Sequence, residues 1–154
     1  MTLRFPLPGE ADTRALGAAL AGHLRAGDVI ALHGGLGAGK TTLARGLVCA
    51  LAGKAIEVVS PTFTLVQTYE APGLSIWHFD LYRLESPDEL VELGWQEAED
   101  GLALVEWPER AGPFLPAWRL DLRLEPQGHS RMAYLEPRGE DWHKRLDGFQ
   151  FRPS

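Results

Sequence analysis

The sequence predicts a single α/β domain in which a mixed β-sheet is flanked by helices, with an antiparallel hairpin near the C-terminus. A short apolar run with β-branched residues, 29–33, precedes a glycine-rich segment, after which leucines recur at helical spacing. Two alternating stretches, 65–69 and 74–79, are joined by Glu70-Ala71-Pro72-Gly73 and indicate a β-hairpin. Because hairpin strands are antiparallel whereas a strand–helix–strand unit is parallel, both kinds of pairing should occur in one sheet.

The N-terminal elements follow from the positions of proline, capping residues and glycine. Leu3 to Leu7 predicts an edge strand, because Pro6 cannot donate a hydrogen bond to a central strand ladder. Asp12 or Thr13 should cap a helix carrying small and leucine residues at helical spacing. Gly27 is expected to end that helix.

The later elements are identified by the same kinds of signal. Ile56 to Val59 predicts a brief strand, and Ser86-Pro87-Asp88-Glu89 is a capping box for a short helix that ends by Gly94. The segment from Trp107 to Pro116 contains three prolines and is predicted to be a loop. The other expected elements are a buried strand at 102–105, hairpin strands at 118–124 and 131–135, a last helix at 140–146, and a loose tail after about residue 147.

Length and composition narrow the class of protein. The 154 residues suit one domain spanning 1–154, and the net charge of −6 argues against a broad nucleic-acid-binding surface. The single cysteine, Cys49, excludes an intramolecular disulfide framework. No apolar run approaches the length of a membrane span, and the first ten residues lack the apolar core of a signal peptide, so we expect a cytoplasmic protein.

The glycine-rich segment carries the strongest chemical signal. Gly34 to Thr41 matches G-x-x-x-x-G-K-[ST] between a strand and a helix, which predicts a P-loop nucleoside triphosphatase fold. Backbone N–H groups of such a loop, and of the helix N-terminus after it, bind phosphate oxygens. Lys40 can reach the β- and γ-phosphates, and the Thr41 hydroxyl can ligate Mg²⁺. The predicted nucleotide contacts here are Gly35, Leu36, Gly37, Ala38, Gly39, Lys40, Thr41 and Thr42.

The nucleotide is predicted to be ATP. GTPases of the Ras type read guanine with an N-K-x-D motif, which this chain cannot contain because it has no asparagine. ATP and Mg²⁺ are therefore the expected ligands, and an ATPase is the expected activity. Two alternatives stay open, a small-molecule or nucleoside kinase and a non-catalytic ATP-gated interaction module. Kinases normally need an acceptor pocket and an arginine-bearing lid, for which 154 residues leave little room.

Two acids are candidates for the site of metal binding and hydrolysis. A triphosphatase needs a carboxylate near Mg²⁺ at the end of a strand beside the phosphate-binding loop. Glu106 follows the apolar run 102–105, and Asp80 follows an alternating strand in which His78 shares its face. Lys40, Asp80 and Glu106 are the predicted catalytic residues, and the sequence leaves open which acid is the principal Mg²⁺ ligand.

Several further residues are weaker candidates. Thr62 and its neighbours Ser60 and Thr64 follow a predicted strand at the distance where switch loops sense a γ-phosphate, although an ordinary hydroxyl-rich turn is equally compatible. Trp107 could stack on a base or a partner, or belong to the core. Arg83 and Arg131 are candidate phosphate or adenine-site contacts, with a surface arginine as the alternative for each.

These motifs together resemble the TsaE family, also called YjeE, of bacterial P-loop ATPases in tRNA threonylcarbamoyladenosine synthesis. The resemblance rests on GGLGAGKTT, SPTF at 60–63, HFDLYRL at 78–84, ELG at 92–94 and VEWPER at 105–110, in the family's order and spacing. The segment EADTRALG at 10–17 resembles the family's E-x-T-x-x-L-G pattern, whose threonine lies near the adenine. By resemblance, that position is Thr13.

The resemblance implies Mg²⁺-dependent ATP hydrolysis beside two partners, TsaB and TsaD, with tRNA reached through that complex and the threonylcarbamoyl group transferred by another component. It implies that Thr41 and Glu106 hold Mg²⁺, and that Asp80 acts at the γ-phosphate side and on the metal. It also implies that Thr62 belongs to the switch and that Arg131 contacts the nucleotide. Weak ATPase activity in isolation is expected, because the 60–64 loop offers only hydroxyls where strong triphosphatases use arginine or glutamine.

Overall fold

The computed structural model describes residues 1–35 and 37–153, and within them seven strands form one sheet. The strands are β1 (Leu3–Leu7), β2 (Val29–His33), β3 (Val66–Ala71), β4 (Leu74–Asp80), β5 (Leu102–Glu106), β6 (Arg119–Gln127) and β7 (Ser130–Arg138). The helices are α1 (Glu10–Ala21), α2 (Lys40–Ala52), α3 (Glu89–Glu92), α4 (Trp95–Ala98) and α5 (Glu140–Arg145), with a 3-10 helix at Pro108–Phe114.

The sheet is mixed, as predicted. Its strand order is β1-β7-β6-β2-β5-β4-β3. Strand β2 lies at the centre and pairs in parallel with β5 and β6, and β5 pairs in parallel with β4. The pairs β3–β4, β6–β7 and β1–β7 are antiparallel. Both predicted hairpins and the predicted edge position of β1 are therefore confirmed.

Alternation along the strands builds two hydrophobic layers, one on each sheet face. The first cluster joins the sheet to α1 and α2 and includes Ile30, Leu32, Ile76, Leu102 and Leu104 with Leu16, Leu20, Leu43 and Leu47. The second joins the opposite face to the short helices and includes Phe79, Ala103 and Val105 with Leu90, Trp95 and Ala111. By the same alternation, His78, Asp80 and Glu106 lie on the face that α1 and α2 cover. None of the described helices is long and apolar enough to cross a membrane.

Two glycines let α1 and α2 pack backbone against backbone. A Cβ atom on Gly46 would lie 2.0 Å from the carbonyl oxygen of Arg14, and one on Gly17 would lie 2.3 Å from that of Leu43. Such distances leave no space for any side chain. The close packing brings the start of α1 beside the start of α2, where the Thr13 side chain comes within 3.5 Å of a Cβ built on Gly39.

Several predicted element boundaries were wrong. Helix α1 begins at Glu10 and not after Asp12 or Thr13, because the Asp12 carboxylate accepts a hydrogen bond from the Gly9 N–H, 2.9 Å away, from inside the first turn. It ends at Ala21, well before Gly27. The helix after Ser86 begins only at Glu89.

Two segments also differ in type from the prediction. Residues 56–59 form no strand; the Val59 N–H donates to the Tyr69 hydroxyl, 3.0 Å away, and the Ile56 N–H to Cys49 Sγ, 3.4 Å away. Side chains therefore satisfy groups that a neighbouring strand would otherwise bind. The predicted loop between Trp107 and Pro116 contains the 3-10 helix, which tolerates Pro108 in its first turn because that position needs no N–H donor.

The C-terminal segment packs on the domain. Phe149 is 9% exposed and makes edge-on contacts with Phe5 and His23, at ring-centre distances of 5.7 and 5.1 Å. Phe151 contacts Phe5 in the same way at 6.1 Å. The tail expected to be loose after residue 147 thus carries two aromatic rings that lie against β1 and the turn that follows α1.

Candidate functional site

A cleft of about 420 Å³ lies at the carboxyl ends of β4 and β5 beside the start of α2. Active sites of sheets with parallel strands gather at this edge. Ten of the predicted site residues line the cleft: Gly37, Ala38, Gly39, Lys40, Thr41, Thr42, Thr62, Asp80, Glu106 and Arg131. Glu10, Ser60 and Trp107 also line it. Residues far apart in sequence are therefore brought together around one space.

Two of the predicted site residues that the structure describes are not part of this lining. Gly35 lines an adjoining cleft with His33, Gly34 and Trp107. Thr13 is fully buried beside Gly39, and its hydroxyl has no hydrogen-bond partner within the described part of the chain. Leu36 lies outside the described residues.

The glycine-rich loop, defined as residues 34–39 between β2 and α2, contains described positions whose backbone conformation depends on glycine. Gly34 has φ 148° and Gly39 has φ 103°, a region that residues with a side chain rarely adopt. A Cβ on Gly34 would also lie 2.9 Å from the carbonyl oxygen of Leu124. Helix α2 begins directly after the loop at Lys40, and no acidic residue occupies its first turn. The positive end of its dipole therefore adjoins the cleft.

Lys40 is folded into the site and is only 5% exposed. Its Nζ donates to the carbonyl oxygen of Gly34 at 2.8 Å and lies 3.5 Å from Glu106 Oε1. The ammonium also lies 4.5 Å from the ring centre of Trp107, a residue with the unusual φ of 54°. These three contacts compensate for the hydration that the ammonium loses on burial.

Glu106 is buried at the end of β5 and shared between two partners. Its Oε2 lies 2.7 Å from His78 Nε2, and its Oε1 faces Lys40. Burial by itself would raise the pKa of Glu106, but the hydrogen bond from His78 and the nearby Lys40 ammonium outweigh that effect and lower its pKa. The carboxylate is therefore held in its charged form.

Asp80 ends β4 and contacts the hydroxyl-rich loop predicted from the sequence. Its Oδ2 accepts a hydrogen bond from the Thr62 hydroxyl at 3.2 Å, and its Oδ1 accepts one from the Tyr82 N–H at 3.0 Å. The Ser60 and Thr62 hydroxyls are hydrogen-bonded to each other at 2.7 Å. A chain of polar contacts thus joins the 60–62 segment to the acid at the strand end.

Two further residues reach the loop from α1 and β7. Arg131 donates from Nη2 to the carbonyl oxygen of Gly37 at 3.1 Å, and Glu10 Oε1 accepts from the Thr42 hydroxyl at 3.4 Å. Arg83 does not line the cleft; its guanidinium lies over the exposed ring of Phe63, 4.6 Å from the ring centre. Glu10 was not predicted as a cleft residue, although it opens the E-x-T pattern, a signal that could have indicated it.

The donor set of the cleft fits Mg²⁺ bound together with phosphate. Thr41, Asp80 and Glu106 offer the hydroxyl and carboxylate oxygens that this hard cation prefers. Within the described residues no group of three or more histidine, cysteine or acidic side chains could hold a metal ion by itself. Mg²⁺ typically uses one or two carboxylates and completes its shell with phosphate oxygens and water.

The fold and the cleft together define a single-domain α/β protein. Its glycine-rich loop connects a parallel strand to a helix, and two acids lie at the same edge of the sheet. The sequence model of threonylcarbamoyl adenosine biosynthesis protein TsaE matches residues 7–133 of this chain. The chain therefore belongs to the TsaE family, which acts in tRNA threonylcarbamoyladenosine biosynthesis.

Individual relatives agree with this assignment. The chain is 42% identical to the TsaE protein of Rickettsia conorii over 120 residues, which are 77% of this chain and 69% of that protein. It is 40% identical to the TsaE protein of a Nostoc species over 142 residues, covering 85% and 83% of the two chains. The crystal structure of Bacillus subtilis YdiB superposes with a TM-score of 0.79 at 28% identity, covering 96% of this chain and 93% of that one.

Proposed function

We propose that this protein binds ATP with Mg²⁺ in the cleft and hydrolyses it as an accessory component of the tRNA threonylcarbamoyladenosine machinery. The observation that carries the proposal is the convergence of Lys40, Asp80 and Glu106 on one cleft at the glycine-rich loop. A cation, a helix N-terminus and two carboxylates are what phosphoryl transfer to water needs, because catalysis there consists mainly of positioning and charge stabilisation.

Each part of the cleft has a role in this proposal. The loop and the first turn of α2 would bind the phosphates, and Lys40 would move from the Gly34 carbonyl to the β- and γ-phosphate oxygens. Thr41 and Glu106 would hold Mg²⁺, and Asp80 would be a further ligand or would lie beside the ion at the γ-phosphate side. When bound, Mg²⁺ neutralises charge on the phosphate oxygens.

The remaining contacts would complete the site. Asp80, fixed by the Thr62 hydroxyl, would orient water at the γ-phosphate side. Arg131 and Glu10 flank the loop from two directions and would contact the nucleotide from there. Buried Thr13 lies behind Gly39 and would support the adenine end, as the family pattern implies.

The proposal includes TsaB and TsaD as protein partners in the cytoplasm, with tRNA reached through them. Efficient triphosphatases stabilise the transferring phosphoryl group with an arginine or position the water with a glutamine. Near Asp80 the cleft lining offers the hydroxyls of Ser60 and Thr62, while Arg131 is bound to the carbonyl of Gly37. A docked partner could supply the missing group or order the 60–62 segment, so hydrolysis should be slow in isolation.

Calorimetric titration with Mg²⁺ and AMP-PNP, a non-hydrolysable ATP analogue, tests the binding step. Lys40→Ala should remove most of the affinity while the variant stays folded, since the lysine serves the phosphates as a point charge. Lys54→Ala is the matched control, because Lys54 is exposed beyond the end of α2. Near-wild-type affinity in a folded Lys40→Ala variant would refute the nucleotide site.

A further inference from the structure

His78 is a fully buried polar residue whose ring has a single described partner. It is 0% exposed and lies on β4, two residues before Asp80. Its Nε2 lies 2.7 Å from Glu106 Oε2, whereas Nδ1 has no hydrogen-bond partner among residues 1–35 and 37–153. Because an ionised carboxylate oxygen can only accept, Nε2 carries the hydrogen and donates it. Among the described residues, Glu106 is thus the one hydrogen-bond partner of this imidazole.

The two oxygens of Glu106 differ in what they contact. Oε2 accepts from His78 inside the domain, and Oε1 lies on the cleft side, 3.5 Å from Lys40 Nζ. The terminal torsion of a glutamate is broad, so a carboxylate without such a contact samples many orientations. If Lys40 moves to phosphate, its contact with Oε1 ends, but the hydrogen bond from His78 remains. His78 then decides which oxygen faces the cleft.

We propose that His78 is a positioning residue that fixes the Glu106 carboxylate so that Oε1 is presented to Mg²⁺. This inference rests on the proposed function, since it assigns the support of the same metal site. Groups that orient metal ligands in this way typically change metal affinity or activity by about 10–100-fold when removed. Burial alone requires an acceptor for the Nε2 hydrogen, so substitutions that keep or remove the donor are needed to separate positioning from packing.

Three substitutions separate hydrogen bonding from packing. His78→Gln keeps an N–H donor near the position of Nε2, His78→Asn carries a shorter amide, and His78→Leu fills similar space without a donor. The readout is the Mg²⁺ concentration that gives half-maximal AMP-PNP binding, with AMP-PNP affinity in EDTA as the metal-free reference. His78→Leu and His78→Asn should raise that Mg²⁺ concentration by about 10–100-fold, whereas His78→Gln should stay within about threefold of wild type.

A double substitution tests whether His78 acts through Glu106. In a Glu106→Gln background, His78→Leu should add little further change in Mg²⁺ dependence, because the group it positions has already been altered. The positioning role would be overturned, and the proposed function would stand, if His78→Leu and wild type showed equal Mg²⁺ dependence of AMP-PNP binding. A fully additive effect in the double variant would have the same meaning. If His78→Leu does not fold, the comparison of His78→Asn with His78→Gln decides in the same way. If wild type instead showed no Mg²⁺-dependent binding of AMP-PNP, both the proposed function and the positioning role of His78 would be overturned.

Discussion

Asp80 and Glu106 lie directly opposite each other on the neighbouring parallel strands β4 and β5. Two carboxylates at this spacing repel each other unless each has its own partners. Glu106 is held by His78 and Lys40, whereas Asp80 is held by the Thr62 hydroxyl and the Tyr82 amide. The two acids therefore have separate sets of contacts, one beside the lysine and the other beside the hydroxyl-rich segment.

Neutralising either acid should impair hydrolysis more than binding. Glu106→Gln and Asp80→Asn should each keep measurable AMP-PNP binding and lose about a hundredfold or more of the ATPase rate, because they act on metal and water and not on the nucleotide itself. Asp100→Asn, at an exposed acid before β5, is the control. A variant that hydrolyses ATP at the wild-type rate would remove its residue from the site.

Arg131 should contribute to nucleotide affinity through the loop. It donates to the Gly37 carbonyl, and its Nε would lie 3.2 Å from a Cβ on Gly39, so it braces the segment that would bind phosphate. Losing a hydrogen bond made by a charged group corresponds to about tenfold or more in the dissociation constant. Arg131→Gln should show this loss in titrations with AMP-PNP, whereas exposed Arg4→Gln on β1 should not. Equal affinities of both variants would leave Arg131 as a surface arginine.

The close contact of α1 and α2 should make Gly46 intolerant of any side chain. Gly46→Ala would place a methyl group 2.0 Å from the Arg14 carbonyl oxygen and should lower the free energy of unfolding by about 1–3 kcal/mol or more. Gly22→Ala is the matched control, because Gly22 has φ −68° and open space around it, and it should be neutral or slightly stabilising. Urea unfolding curves compare the two. A Gly46→Ala variant as stable as wild type would contradict the described helix packing.

Asp121 on β6 should make the stability of the fold depend on pH in the acid range. Partial burial would raise the pKa of Asp121, but hydrogen bonds from His33, Arg138 and Arg119 outweigh it and hold that pKa far below its usual range. The folded-state pKa lies below the unfolded-state value of about 3.9. The stabilisation that the charged carboxylate gives the fold is therefore complete above about pH 3.9. It is lost as the pH falls further toward the folded-state pKa.

The Asp121→Asn variant isolates this contribution. At pH 7 it should be less stable than wild type by about 2 kcal/mol, the scale of hydrogen bonds to a charged group. The difference in unfolding free energy should shrink as the pH is lowered from about 4 to about 2, because the wild-type carboxylate then loses its advantage. A difference that stays constant over this range would show that Asp121 contributes through packing and not through its charge.

The parts of the fold set by local patterns were predictable from the sequence. The strand–loop–helix unit around Gly34 to Lys40 and both hairpins depend on neighbouring residues, and they were located correctly. The 56–59 segment was predicted wrongly as a strand, because its β-branched residues suit one. Its Val59 amide is bound by the Tyr69 hydroxyl from the β3–β4 hairpin, a tertiary contact that no local pattern encodes.

The candidate site also has parts that the sequence predicted and parts that it did not. The glycine-rich motif selected Lys40, the ends of predicted strands selected Asp80 and Glu106, and the structure places these three side chains around one cleft. The pairing of His78 with Glu106 depends on the register of β4 against β5, and the place of Glu10 depends on how α1 packs against α2. Neither register nor helix packing can be read from a single sequence, because both are fixed by contacts between distant segments.

Phosphate release from ATP, measured with and without purified TsaB and TsaD, tests the central claim most directly. We expect slow release by the isolated protein, stimulation of about tenfold or more by the partners, and no stimulated release in Glu106→Gln. The account would be contradicted if wild type released no phosphate in either condition. An isolated rate already near about 10 per second and unchanged by TsaB and TsaD would also contradict it, because the chain would then be a self-sufficient ATPase.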